Sequence, residues 1–352
     1  MIRSEGFALV LVLWVLSLLT IMAGSFALSM RRESAIVSGI SSNAKALAVA
    51  QSGLAIAELM LMNPDQRQRW LTDGSVYQID YDDSKVRVRL LSETGKIDLN
   101  KADQVLLQGL MANAPVDSEL QTKLVSAILD WRDADDLVHI DGAEKADYKK
   151  AGLSYQPRNK PFQSIEELQL VLGMNEQVYK WLENLITVHS GLANVDLTQA
   201  TKEVLQVLPG MDAGVIDEFR AARRESAING LPAPTFIARD GVYTLSQSGT
   251  GAAPVASDLG RTSRQQINTP ETAINNAGAG QLSAMTVVTE ALLGDGASST
   301  IKILIKKSES ATGSSPFQVL KWQRNDTNEG SLFADEQDEL LVRQYAEPEF
   351  SH

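Results

Sequence analysis

No cysteine occurs in the 352 residues, which excludes disulfides and thiolate metal centres and leaves the compartment unreadable from redox chemistry. Histidine is nearly as scarce. His139, His189 and His352 are the full complement, too few for a histidine-based zinc site without heavy use of carboxylates. Positive charge is in deficit: 32 Lys+Arg face 44 Asp+Glu, a net of −12, with a pI of about 4.8. Such a field repels a phosphate backbone. There is also no G-x-S-x-G elbow, no H-E-x-x-H helix and no Walker loop, and Gly249-Thr250-Gly251 lacks a third glycine and a preceding strand. Carboxylate pairs abound without any sign of a buried, pKa-tuned one, so no enzyme is expected.

What the chain does have is an apolar run. Phe7 to Met30 are 24 uncharged residues, followed at once by Arg31 and Arg32. As a helix they suffice to cross a hydrocarbon core of about 30 Å. Flanking charge does not orient the span, because Arg3 and the amino terminus against Glu5 balance Arg31 and Arg32 against Glu33. An ordinary secretory signal has a shorter core, of about 7–15 residues, and is cut beyond it. Here Gly6 followed by Phe7 and a long apolar helix resembles the class III signal segments of type IV pilins and pseudopilins, which are cut before the helix and leave it on the mature protein. A plain N-terminal signal anchor is the other reading.

The helical pattern continues past the membrane. Ile40, Leu47, Leu54 and Leu61 recur every seven residues, with Ala44, Ala50 and Ala57 on the same side, and no proline intervenes before Pro64. A helix from Phe7 to about Met62 is about 84 Å long at 1.5 Å per residue. Its seam is expected to pack between subunits low down and on the chain's own sheet higher up. Beyond it the period changes to two. Tyr77, Ile79 and Tyr81, the turn Asp82–Lys85, then Val86, Val88 and Leu90 predict a β-hairpin with one buried face. Strand signals return only at Thr286–Val288, Ile301–Ile305 and Phe317–Trp322, the last two separated by KKSESATGSSP. A sheet begun near 75 is therefore finished near 323, with a large insert between.

The insert, 97–234, reads as helical. ETGKIDLNKADQVLLQGL and SGLANVDLTQATKEVLQVLPGM resemble each other: each has an apolar-Asp-Leu-Asn/Thr start, a small polar turn and an amphipathic helix. Asn100 and Thr198 are expected as helix N-caps. Leu208-Pro209-Gly210 resembles the turn of a helix-hairpin-helix, whose backbone amides can grip a phosphate. Charge argues for scaffold instead, since residues 98–230 hold 13 Lys+Arg and 21 Asp+Glu, a net of −8.

Between these segments lies the densest acidic stretch: Asp130-Trp131-Arg132-Asp133-Ala134-Asp135-Asp136, then Asp141-Gly142-Ala143-Glu144 and Asp147. Oxygen-rich loops of this kind suit a hard cation such as Ca²⁺. The pattern is not an EF-hand, and a merely solvated loop is the alternative. Gly142, Trp131 and Tyr148 argue for a loop folded onto the core, where uncompensated carboxylates are costly.

The Gly6-Phe7 start, ETGKIDLN, ILDWRDADD, DGAEKADY, YQPRNKPFQSIEELQLVLGM and NVDLTQATKEVLQVLPG, in that order and within residues 1–245, resemble the minor pseudopilin K family of the bacterial type II secretion system. The resemblance implies an α+β protein: a long N-terminal transmembrane helix packed on a pilin-like antiparallel sheet, with a large inserted all-α domain containing helix-hairpin-helix-like repeats. The division expected is a leader at 1–6, the membrane part of the helix at 7–30 and its periplasmic part at 31–64. The first part of the pilin-like domain follows at 65–96, the insert at 97–234 and the second part at 235–324. The resemblance further implies cleavage between Gly6 and Phe7 and N-methylation by the prepilin peptidase, and single-pass residence in the inner membrane with the C-terminal domain in the periplasm. It places the chain at the pseudopilus tip with minor pseudopilins I and J and other pseudopilins, against the inner-membrane secretion platform and membrane lipid. Calcium held structurally by Asp133, Asp135 and Glu144 is implied too, and no nucleic acid is expected.

Most pilins carry Glu at the fifth position of the mature helix, where it meets a neighbour's amino terminus; here that position is Leu11. A subunit without the carboxylate cannot neutralise the next buried amine, which suits a cap on the assembly. After 245 the match weakens. Residues 247–281, rich in Gly, Ala, Ser, Thr and Asn, are expected as a mobile loop. The tail 325–352 holds eight acids against Arg343 and is expected to be disordered. A type IV pilus minor pilin or tip adhesin, or a membrane-anchored competence protein that binds DNA, are the alternative functions.

Overall fold

Fifty-seven consecutive residues, Glu5–Leu61, form one helix, α1, in this computed structural model. The structure describes residues 5–65, 68–229, 231, 233–239, 242–245, 284–308, 316–324 and 330–334. At 1.5 Å per residue α1 is about 86 Å long. Its apolar part from residue 9 to residue 30 is exposed, and the helix is long and apolar enough to cross a membrane. Two polar side chains in that part bond back to the helix itself, Ser17 Oγ to Leu13 O (2.8 Å) and Thr20 Oγ1 to Leu16 O (2.6 Å), which removes the penalty of a free hydroxyl in hydrocarbon.

After α1 come β1 (Asp73–Tyr81) and β2 (Ser84–Ser92). The chain then leaves the sheet for β3 (Ile97–Asp98), α2 (Gln104–Met111), α3 (Ser118–Arg132), α4 (Lys145–Lys150), α5 (Glu176–Leu182), β4 (Ile186–Thr187), α6 (Lys202–Val207) and α7 (Ala213–Ile228). A hairpin of β5 (Phe236–Arg239) and β6 (Val242–Leu245) follows. The sheet resumes with β7 (Met285–Leu293), β8 (Ser298–Lys307) and β9 (Phe317–Arg324). Its order is β1-β2-β7-β8-β9, antiparallel throughout. The insert therefore leaves and returns between two neighbouring strands, and Ser84↔Leu293 to Ser92↔Met285 stay in unbroken register around it. The expected α+β class with an N-terminal helix on an antiparallel sheet is what forms. The insert is not purely helical, because Ile97 and Asp98 pair in parallel with Ile186 and Thr187.

Two separate cores result. One gathers Ala50, Ala57 and Leu61 of α1 with Val86, Val88, Leu90, Val287, Ile301, Ile303 and Ile305. The other lies within the insert, around Ile97, Leu107, Leu124, Ile128, Tyr148, Leu182, Leu205 and Phe219, and takes in Phe236. On α1 the expected Ala50, Ala57 and Leu61 are buried, but the rest of the heptad does not make the closest contact. Ala46, Ala50, Gly53 and Ala57 are buried against the sheet, Leu47 and Leu54 flank it, and Ile40 is exposed. Small residues win here because they let the helix axis approach the sheet: a Cβ on Gly53 would sit 2.6 Å from Val86 Cγ1. Tyr81, expected on the buried face, is exposed at the hairpin tip and shares a hydrogen bond with Ser52 Oγ (2.9 Å).

The two similar segments of the insert are built on one plan. Asp98 Oδ1 accepts from Asn100 N (2.8 Å) and Asp196 Oδ1 from Thr198 N (3.0 Å). Arg132, at the end of α3, donates to the carbonyls of Leu99 and Ala102; Arg223, in α7, donates to those of Thr198 and Ala200. Each long helix thus clasps the turn that starts its own short helix. The N-caps are Asp103 and Thr201, three residues beyond the expected Asn100 and Thr198. Asn100 instead exchanges two hydrogen bonds with the Phe162 backbone. The loop 247–281 lies outside the described residues. Of the tail 325–352, expected to be disordered, residues 330–334 are described, and they pack against the sheet through Leu332, which is buried.

Candidate functional site: an acidic loop in the insert

The candidate site forms where α3 ends. Asp130 falls on the buried face of α3 and is fully enclosed. Its Oδ1 accepts from His139 N (3.1 Å) and meets the His139 ring at Nδ1, and its Oδ2 accepts from Ala143 N (2.7 Å). One carboxylate therefore pins both ends of the turn 139–143. Gly142 is obligatory there, because a Cβ would collide with Asp130 Oδ2. Ser126 Oγ holds Ile140 O (2.7 Å), and Asp135 Oδ1 accepts from Leu137 N (2.9 Å). Trp131 and Tyr148 anchor the loop in the core, with ring centroids 6.1 Å apart. Among the described residues the two non-glycine positions with positive φ are Asp141 (61°) and Asn159 (51°), one in this turn and the other donating to Asp135 O (2.8 Å) and Asp136 Oδ1 (2.9 Å).

Oxygen atoms are left over. Asp133 Oδ1, Asn159 Oδ1 and both carboxylate oxygens of Glu144 are buried without a hydrogen-bond partner of good geometry. The donors nearest Glu144 are the backbone amides of its own first helical turn, while Asp147 reaches back to Glu144 N (3.1 Å). Burial, and then the charge of Asp130, push the Glu144 carboxyl up to about 7. Burial, then Asp135 and Asp130, raise Asp133 as well. Negative charge is thus crowded and undersolvated, which a bound cation relieves.

Of the three carboxylates expected as metal ligands, Asp133 is brought together with Asp130 and His139, their ligand atoms lying within 4.8 Å of one another. Glu144 lies within electrostatic reach of Asp130, Asp133 and Asp136. Asp135 is exposed and has one oxygen engaged in its own turn. The unpartnered atoms of Asp133, Glu144 and Asn159 are all hard oxygens, a set that fits calcium. Asp130 and Asn159 were not singled out from the sequence. The i, i+3 spacing of Asp130 and Asp133 on α3 was the available signal for the first; nothing local signals the second. Gly6 and Phe7 lie in the first turn of α1.

An apolar N-terminal rod carrying a five-stranded head, with a largely helical insert threaded between adjacent strands, defines an α+β protein with one helix long and apolar enough to cross a membrane. Residues 85–191, from β2 through the acidic loop to β4, match the family described as type II secretion system (T2SS), protein K. The chain is 25% identical over 201 residues to the type II secretion system protein K of Klebsiella pneumoniae, an alignment spanning 51% of this chain and 61% of that protein. A solved chain of the GspK-GspI-GspJ complex from the enterotoxigenic Escherichia coli type 2 secretion system is similar to 85% of this chain and 99% of its own length, with a TM-score of 0.40 and 16% identity.

Proposed function

We propose that this chain is a minor pseudopilin of a type II secretion system. It would be cut between Gly6 and Phe7 by the prepilin peptidase, methylated on Phe7 and held in the inner membrane by α1 with its head in the periplasm. The family match over 85–191 carries the reading, because that stretch includes both the strand that leaves the sheet and the insert it leads into. The bare flank of α1 supports it. Large apolar residues such as Leu11, Trp14, Ile21 and Phe26 are exposed, and such a surface needs lipid and sister helices. The sequence resemblance supplies the finer parts: a tip position, minor pseudopilins I and J as partners, and a role in starting the fibre that drives export of folded proteins. The two helix pairs serve as scaffold, since residues 98–230 carry a net charge of −8.

Calcium is proposed at the acidic loop, held by Asp133, Asp135 and Glu144, with Asp130 fixing the turn that presents them. When bound, the ion would supply positive charge where Asp130, Asp133 and Glu144 crowd one another and so would tie α4 to the end of α3. Detergent extraction of tagged chain co-expressed with pseudopilins I and J tests the assembly. All three are expected to copurify in a fixed ratio; a lone monomer under the same conditions contradicts the reading.

A further inference from the structure

On the sheet face opposite α1, Arg87 and Glu290 sit directly across from each other on β2 and β7. Both are almost completely enclosed, at 8% and 5% exposure. Opposite charges at this register are favourable, but two buried ions need more than one another. Gln78 Oε1 accepts from Arg87 Nε (3.0 Å), and the rest comes from the chain's own residues 331–333. Arg87 Nη1 donates to Leu332 O (2.8 Å), and Glu290 accepts from Leu332 N and from Ser331 Oγ (2.8 Å). The Phe333 ring lies 4.7 Å from the Arg87 guanidinium carbon, a cation–π stack, and Leu332 is buried. The segment arrives preformed as a turn, closed by Ala334 N to Ser331 O (3.0 Å) and Phe333 N to Ser331 Oγ (3.1 Å).

The way it gets there matters. Strand β9 ends at Arg324 on the far edge of the sheet, and β8 stands between it and the β7–β2 pair. Residues 331–333 join no strand. They are a tethered ligand laid across the sheet, read at both main-chain groups of one residue and at the side chains on either side of it.

We infer that the Arg87–Glu290 pair is a peptide receptor for a Ser-Leu-aromatic turn, filled in cis by the chain's own Ser331-Leu332-Phe333 and open to the same kind of segment from another chain when that turn is displaced. The probe is a dye-labelled peptide of residues 329–335, EGSLFAD, titrated into detergent-solubilised full chain. A Leu332→Asp/Phe333→Ala double variant evicts the internal turn and is expected to bind the peptide saturably, at least ~10-fold tighter than wild type, whose own turn competes. Glu290→Gln added to that variant should weaken binding by ~10-fold or more. Equal affinity for wild type and the evicted variant, or no binding to an evicted variant that keeps the wild-type circular dichroism, overturns the inference. Hydrogen exchange on wild type supplies a check that needs no evicted variant. The Leu332 amide should be protected, and Glu290→Gln should speed its exchange ~10-fold or more; an unprotected Leu332 amide also overturns it.

Discussion

Replacing Glu93 with alanine is expected to lower the stability of the chain by about 3–5 kcal/mol, the usual consequence of stranding one member of a buried ion pair. Glu93 is 3% exposed and Lys96 9%, and Lys96 Nζ donates to Glu93 Oε1 over 2.8 Å. Thr286 Oγ1 of β7 donates to the same oxygen (2.7 Å), and Thr187 Oγ1 of β4 donates to the other. The carboxylate is touched by the sheet, by the exit from β2 and by the far side of the insert. Burial pushes its carboxyl up, but the charge of Lys96 and the hydrogen bonds from Lys96, Thr187 and Thr286 more than offset this and hold it below the usual carboxylate range. A carboxyl depressed in the folded state contributes stability that is present above its unfolded value, about 4.3, and lost as pH falls through the folded one. Wild type should therefore weaken below about pH 4.3, and Glu93→Ala should lack that part of the acid slope. Glu93→Gln should recover part of the loss, because an amide oxygen still accepts from a threonine. Thermal melts of the three proteins read the difference; a loss for alanine under about 1 kcal/mol would mean that water reaches Lys96 and that the junction is loose.

The second large effect has the opposite sign. Metal-free Glu144→Gln is expected to be more stable than wild type at pH 7.5, by on the order of 2 kcal/mol after allowing for solvent screening in a shallow loop. Glu144 is 4% exposed, and its carboxyl is pushed up to about 7 by burial and then by Asp130. Between about pH 4.3 and 7 the folded chain holds a proton that the unfolded chain has released, so wild-type stability falls as pH rises through that window and levels off above it. Glutamine has no proton to lose, and the slope should flatten. Calcium should reverse the ranking. Wild type gains about 2.7 kcal/mol when the free ion stands at 100 times its dissociation constant, and the glutamine variant gains much less. Calorimetry should register heat for wild type at calcium concentrations up to ~1 mM and none for Asp133→Ala. Unchanged pH and calcium responses in Glu144→Gln would show that the loop is merely solvated.

Much of this architecture is legible in local pattern. The apolar run, the period-two hairpin at 77–90 and the late return of strand signals near 286 place the rod, the sheet and the insert in order, because each is a repeat within a short window. Local chemistry at the starts of the helices misleads by three residues: the Asn100 side chain bonds the Phe162 backbone and the Thr198 hydroxyl donates to Asp196 Oδ1, while Asp103 and Thr201 take the caps. What sequence cannot display is convergence from a distance. The Glu93 hub draws on residues 93, 96, 187 and 286, and the β3–β4 ladder joins positions almost ninety residues apart. Arg87 and Glu290 look like ordinary outward charges on alternating strands until residues 331–333 cover them. At the acidic loop, the stretch was conspicuous but its hierarchy was not. Asp130 stands out only once α3 turns it inward, and Asp135 loses prominence once the turn it caps carries it to the surface. The seam of α1 is legible in part: Ala50, Ala57 and Leu61 are buried as expected, while Ile40 is exposed and Ala46 and Gly53 join the contact. A heptad of leucines attracts the eye, yet closest approach to a sheet favours Ala46, Ala50, Gly53 and Ala57.

The mature protein is expected to keep α1 as a rod beginning at Phe7. Mass spectrometry of the N-terminal peptide, from chain recovered in the membrane fraction of cells that carry the prepilin peptidase, addresses this directly. The expected peptide starts at Phe7 and carries one methyl group on its amine. A peptide that starts beyond Met30, or one that retains residues 1–6, would contradict it.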